Sequence, residues 1–249
     1  GVEVEVHYRP SFLLCFWHNR KLQKYYERIK EEQFSHRVML GEHGEVAIPT
    51  VEFNLIFQLT HIYAHLMNEG IGLRQLLDYY YVLCDFYKVY QNFSNPSVSL
   101  SKGSSTFSPS PSFSGSGDVT APSRCSEPLR SKDGGPSKVS PNCAGWDRLG
   151  VLQKELKELG LWKFAGAIMY IMQEVFGMPA SRLIVPPNEK YGKFVLNEVL
   201  EAGNFGKHDE RNRFGRSQLG HNLQRVYRDI RLVRYFPAEA LCEPLFRIW

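Results

Sequence analysis

Long hydrophobic runs are missing from this sequence. No stretch reaches the roughly 18 consecutive apolar residues of a bilayer span, so a membrane-crossing helix is not expected. Paired cysteines are missing too. Cys15, Cys84, Cys125, Cys143 and Cys242 lie far apart without a C-x-x-C spacing. An odd, scattered set reads as free thiols of a reducing, cytoplasmic compartment, with neither a disulfide framework nor a zinc site. Charge of one sign is scarce: 30 Lys and Arg against 26 Asp and Glu leave +4, too little to imply nucleic acid by itself. The opening Gly1-Val2-Glu3-Val4-Glu5 has no basic n-region and apolar h-region, so no signal peptide is read. Its first residue is not Met, which reads as a fragment or a trimmed start.

Catalytic signatures are also absent. There is no G-x-x-x-x-G-K-[ST], no G-x-G-x-x-G after a strand, no G-x-S-x-G, no H-E-x-x-H and no Asp-x-Asp pair. On motifs alone the chain is not a complete enzyme of a recognisable class.

What is present begins with helical patterning. With 43% hydrophobic residues, the 249-residue chain can build a real core. The spacing of apolar positions predicts helices over about 21–32, 51–69, 73–90, 146–159, 161–176, 188–202, 217–235 and from 238 onward, with glycines closing several of them. Short glycine-bearing turns suggest a bundle. Strand patterning is confined to the start. Val2, Val4 and Val6 alternate with Glu3, Glu5 and His7, and residues 37–40 and 45–48 flank Gly41-Glu42-His43-Gly44 as a hairpin. The expected fold is therefore mainly α with a small β element.

Residues 92–144 differ from all of this. They hold 16 Ser, 7 Pro and 5 Gly in 53 positions, a composition that cannot bury enough apolar surface to offset its ordering entropy. The reading is a disordered insertion dividing 1–91 from 145–249.

Three places could carry chemistry. His61 and His65 share a helix face at i and i+4, open to three readings: plain polar residues, metal ligands, or contacts to an anion. The turn Gly70-Ile71-Gly72 opens a helix whose first residues include Arg74. Backbone N–H groups and a cation there would suit a phosphate, while an Arg74–Asp78 ion pair is the plainer account. From 207 to 234, eight Lys or Arg face three acids, which suits either a solvated helix face or a phosphate-bearing partner such as nucleic acid.

Several stretches together resemble an uncharacterised family of polymerase-β-like nucleotidyltransferases. They are Val4-Glu5-Val6-His7-Tyr8-Arg9, His61-Ile62-Tyr63-Ala64-His65 and Gly70 through Asp78. Beyond the insertion follow Leu159-Gly160-Leu161-Trp162-Lys163-Phe164-Ala165, Glu174-Val175-Phe176-Gly177, Gly203-Asn204-Phe205-Gly206 and Phe236-Pro237-Ala238-Glu239. The resemblance implies a helical bundle attached to the remnant of an α+β sheet. It implies transfer of a nucleoside monophosphate from a nucleoside triphosphate to an unknown acceptor, with Mg²⁺. It places a Gly-Ser motif and an Asp-x-Asp pair ahead of Gly1, makes Glu5 the third, metal-holding carboxylate with Glu3 as its rival, and turns Arg74, His65, His61 and Gly72 toward the nucleotide. A chain without the upstream carboxylates would be catalytically silent. The insertion is foreign to that pattern. The rival readings are a non-catalytic helical module that binds a protein or nucleic acid through the basic stretch and the aromatic residues 79–90, and a His-based metal-dependent phosphohydrolase.

Overall fold

The computed structural model describes residues 9–94, 141–202 and 218–248. The valine–glutamate strand with Glu3 and Glu5, most of the Ser/Pro-rich segment and the Gly203–Gly206 turn lie outside them.

Eight α-helices among the described residues carry the fold: α1 (Phe16–Ser35), α2 (Val51–Asn68), α3 (Leu73–Ser94), α4 (Pro141–Glu158), α5 (Trp162–Glu174), α6 (Glu189–Ala202), α7 (Gln218–Val233) and α8 (Pro237–Ile248). Between α1 and α2 stands a two-stranded antiparallel hairpin, β1 (Arg37–Met39) and β2 (Glu45–Ala47), in the register Val38↔Val46. Its side chains are exposed or only half-buried, so it lies on the surface and not in a sheet core. The chain is mainly α with a small β element, as its patterning predicts.

Local chemistry sets the helix starts. Thr50 caps α2, its Oγ1 accepting from the Phe53 N–H at 3.3 Å. Asn188 does the same for α6 through the Tyr191 N–H. Between α4 and α5 the chain reverses at Gly160, whose φ of 74° is left-handed, while the Leu161 N–H reaches back to the Leu156 carbonyl at 2.8 Å. Helical backbone reaches Ser94 and resumes at Pro141, so α3 and α4 each run a few residues into the segment read as insertion. No helix among the described residues is long and apolar enough to cross a membrane.

Burial follows the amphipathic stripes. α2 packs on α3, α3 on α4, α5 on α6 and α7 on α8. Leu22, Leu55, Ile56, Leu59, Leu76, Leu83, Leu156 and Ile168 are fully buried. Tyr63 stacks on Phe164 with ring centroids 4.2 Å apart, and Phe236 meets both rings edge-on. This aromatic trio ties α2 and α5 to the start of α8. A small polar knot, Ser11 with Tyr26 and Thr60, fixes the segment before α1 against α2. The α3 aromatics whose side chains are described belong mostly to the same core: Tyr79, Phe86 and Tyr87 are buried, and among them Tyr81 is the one that projects strongly.

Candidate functional site

At the α2–α3 junction the Gly70–Asp78 stretch forms a tight, self-satisfied turn. The N–H groups of Glu69 and Gly70 both donate to the His65 carbonyl at 2.8 Å, and Gly70 takes φ 96°. Ile71 is fully buried and Gly72 is buried with it. The Gly72 N–H donates to Gln75 Oε1 at 3.0 Å, so one of the backbone donors expected to face a ligand is already engaged. From the far side, Arg228 of α7 donates to the Asn68 carbonyl. Arg74 and Asp78 are both exposed, and no ion pair joins them. The Arg74–Asp78 ion pair offered as the plainer account is not formed, and Arg74 is exposed at the first turn of α3.

His61 and His65 come together as their spacing requires. Their Nε2 atoms are 3.1 Å apart, and the rings meet edge-on at 4.4 Å. Phe57 stacks on His61, and His65 Nδ1 lies 3.6 Å from Glu69 Oε2. No third ligand converges on the pair among the described residues, so metal ligation there has only two donors. The basic stretch is partly consumed by packing. Arg228 is buried against α2, and Arg231 pairs with buried Glu198 at 3.0 Å while lying over the Tyr227 ring.

The fold also builds a site that the sequence reading missed. A cavity of about 460 Å³ opens between the starts of α5 and α8, lined by His18, Tyr63, Lys157, Trp162, Lys163 and Glu239 among others. Lys157 Nζ lies 4.4 Å above the Trp162 ring. At the cavity wall, Glu239 is 2% exposed. Its Oε2 accepts from the Cys15 N–H at 2.8 Å and its Oε1 meets His18 Nδ1 at 2.9 Å. One carboxylate in the first turn of α8 thus also closes the N-terminus of α1, where both helix dipoles favour its charge. Burial, with Glu239 and Cys15 nearby, pushes the Tyr63 hydroxyl well above its ordinary pKa. Gly160 leaves room for the His18 ring, since a Cβ there would lie 2.5 Å from His18 Nε2 and would require the imidazole to shift.

Arg74, Gly72, His61 and His65 do not line this cavity. Three resemblance-bearing stretches do meet in it. Tyr63 comes from the first, Gly160, Trp162, Lys163 and Phe164 from the second, and Phe236 through Glu239 from the third. Sequence spacing held a signal: Cys15-Phe16-Trp17-His18 and Glu239-Ala240-Leu241-Cys242 place two donors three residues apart at two helix starts. A Cys, His and Glu set suits a softer cation than Mg²⁺, which prefers all-oxygen ligands, so these residues are a poor fit for Mg²⁺. Glu5, its expected ligand, lies outside the described residues. Set against protein-family models, curated proteins and solved structures, the chain matches none.

Proposed function

We propose that these helices are the nucleotide-holding half of a nucleotidyltransferase, which moves a nucleoside monophosphate from a nucleoside triphosphate to an acceptor. The supporting observation is the convergence just described. Stretches that carry the resemblance, far apart in the chain, supply most of the lining of one cavity. Its volume of about 460 Å³ lies within the roughly 300–1,000 Å³ usual for small-molecule sites. Its chemistry suits the ligand. Trp162, one face of which Lys157 covers, supplies an aromatic wall for a base, and the ammonium groups of Lys157 and Lys163 offer partners for phosphate oxygens. On this reading the helices bind and orient the triphosphate, and Mg²⁺ with Glu5 belongs to the sheet side implied by the resemblance.

Calorimetric titration of the purified protein with each of the four ribonucleoside triphosphates tests the reading. Binding is expected, and Lys163→Ala should weaken it about tenfold, the worth of one charge-assisted hydrogen bond. Absence of binding for all four, or affinity indifferent to both Lys163→Ala and Trp162→Ala, would overturn it.

A second reading, a module that docks a protein partner, has its own observation. An apolar groove of about 850 Å³ runs between α1 and α8, lined by Leu14, Phe16, Cys242 and Leu245 with Arg20 and Lys24 along its edge. Phe16 and Leu245 are 60% and 67% exposed. Under this reading Leu245→Asp abolishes partner binding and leaves triphosphate affinity unchanged.

A further inference from the structure

We propose that Cys15, His18 and Glu239, with Cys242 as the fourth donor, form a binding site for a borderline-soft divalent cation, Zn²⁺ above all. The inference is independent of nucleotide binding. Cys15 immediately precedes α1 and His18 lies in its first turn, while Glu239 lies in the first turn of α8 with Cys242 three residues on. Donors three apart at a helix start fall on one face, so each helix presents a pair.

The geometry is already close to a coordination shell. One ligand atom each from Cys15, His18 and Glu239 all lie within 4.8 Å of one another. Metal–ligand bonds of about 2.0–2.3 Å in a tetrahedron set ligand atoms roughly 3.3–3.8 Å apart, a contraction that side-chain rotation supplies. Cys242 stands beside Cys15, outside the 4.8 Å group of the other three donors, so side-chain rotation would have to bring the second sulfur in. Two thiols, an imidazole and a carboxylate form a donor set that Zn²⁺ takes readily and Mg²⁺ or Ca²⁺ does not.

Electrostatics point the same way. Glu239 is almost wholly buried, yet its partners are the Cys15 N–H and His18, with no Lys or Arg among them. Helix N-termini favour its charge, but no Lys or Arg stands within ion-pair distance of it among the described residues. A divalent cation would provide that counter-charge. The outer contacts also suit a ligand role. The Cys15 N–H holds Oε2 and leaves Oε1 beside His18 Nδ1, while Gly160 lies close to the Nε2 side of that imidazole. The bound ion would clip α1 to α8 across 224 residues of sequence, a structural role in which metal affinity adds to folding free energy.

Co²⁺ titration of the reduced, metal-stripped protein tests the site. One Co²⁺ per chain should bind with a thiolate-to-cobalt charge-transfer band in the near ultraviolet, Zn²⁺ should displace it, and Zn²⁺ should raise Tm by several degrees. Cys242→Ser should diminish the band, and His18→Asn, at a half-exposed position, should weaken Zn²⁺ affinity at least tenfold. Cys84→Ser, away from the cluster, should change neither. Should Cys15→Ser fail to fold, those two milder variants still decide the matter. Absence of the band, a band of full strength in Cys242→Ser, or a Tm indifferent to Zn²⁺ overturns the proposal. So does Co²⁺ bound without sulfur character, the signature of the His61–His65 pair.

Discussion

Arg74 shows how differently two accounts of one side chain behave once its surroundings are known. It is exposed, and so is Asp78, with no ion pair between them. Arg74→Ala is therefore expected to change stability by no more than about 0.5 kcal/mol, the scale of an exposed helical pair. If the guanidinium meets a phosphate, the same substitution weakens triphosphate binding by about 1.5–3 kcal/mol. Thermal melting and calorimetry on the one variant check both halves. A loss of several kcal/mol in stability would contradict the exposure of Arg74, and unaltered affinity would agree with its place outside the cavity between α5 and α8. At this scale the sequence announced some residues and hid others. Gly70 was legible because the turn needs the left-handed φ it takes, and the histidine pair because i,i+4 spacing forces proximity. Glu239 was not, because nothing in its neighbours in sequence says that its carboxylate will reach a backbone amide 224 positions away.

Most helix bounds were legible to within about two residues because their caps are local, while α1 and α4 begin five residues ahead of the expected 21 and 146. Thr50 before α2, and the glycines at 70, 160 and 177 with positive φ, are turn chemistry readable in place. What eluded the sequence was the second duty of such a turn. Gly160 ends α4, and the same residue leaves room for His18 of α1, against which a Cβ would lie 2.5 Å from Nε2. Gly160→Ala is expected to cost about 1–3 kcal/mol, combining left-handed strain with displacement of the imidazole. Chemical denaturation of a double-mutant cycle separates the two causes. Pairing Gly160→Ala with His18→Ala should recover the steric part and leave the strain. Strict additivity would mean that His18 yields freely and that the contact between α1 and the α4–α5 turn is incidental. The cavity escaped for the same reason as Glu239, since its lining comes from α1, α2, α4, α5 and α8, whose relative placement depends on packing rather than on pattern.

Across the molecule, tyrosine burial sets a limit at alkaline pH. Burial raises the pKa of Tyr25, Tyr26, Tyr63 and Tyr79 above the ordinary value, with Tyr79 wholly enclosed. The folded state then keeps protons that the unfolded chain releases above about pH 10, so stability is intact below that pH and falls as pH rises beyond it. Melting temperature should decline steeply from about pH 10 upward, together with the appearance of tyrosinate absorbance on unfolding; a flat profile to pH 11 would show these hydroxyls to be reachable. Replacing residues 95–140 with a short Gly/Ser linker should by contrast leave Tm nearly unchanged. α3 and α4 pack on each other and hold the ends, and loop closure costs only about 0.6 kcal/mol per doubling of length. Loss of cooperativity would instead reveal packing by that segment. A different consequence follows from the Glu239 contact to Cys15 and His18, and it concerns synthesis. At about 5–20 residues per second, the 221 residues separating His18 from Glu239 take on the order of 10–45 seconds to translate. Throughout that interval α1 lacks the carboxylate that closes its first turn. The two ends of the fold can join only after α8 has been made, so the α1–α8 contact forms late.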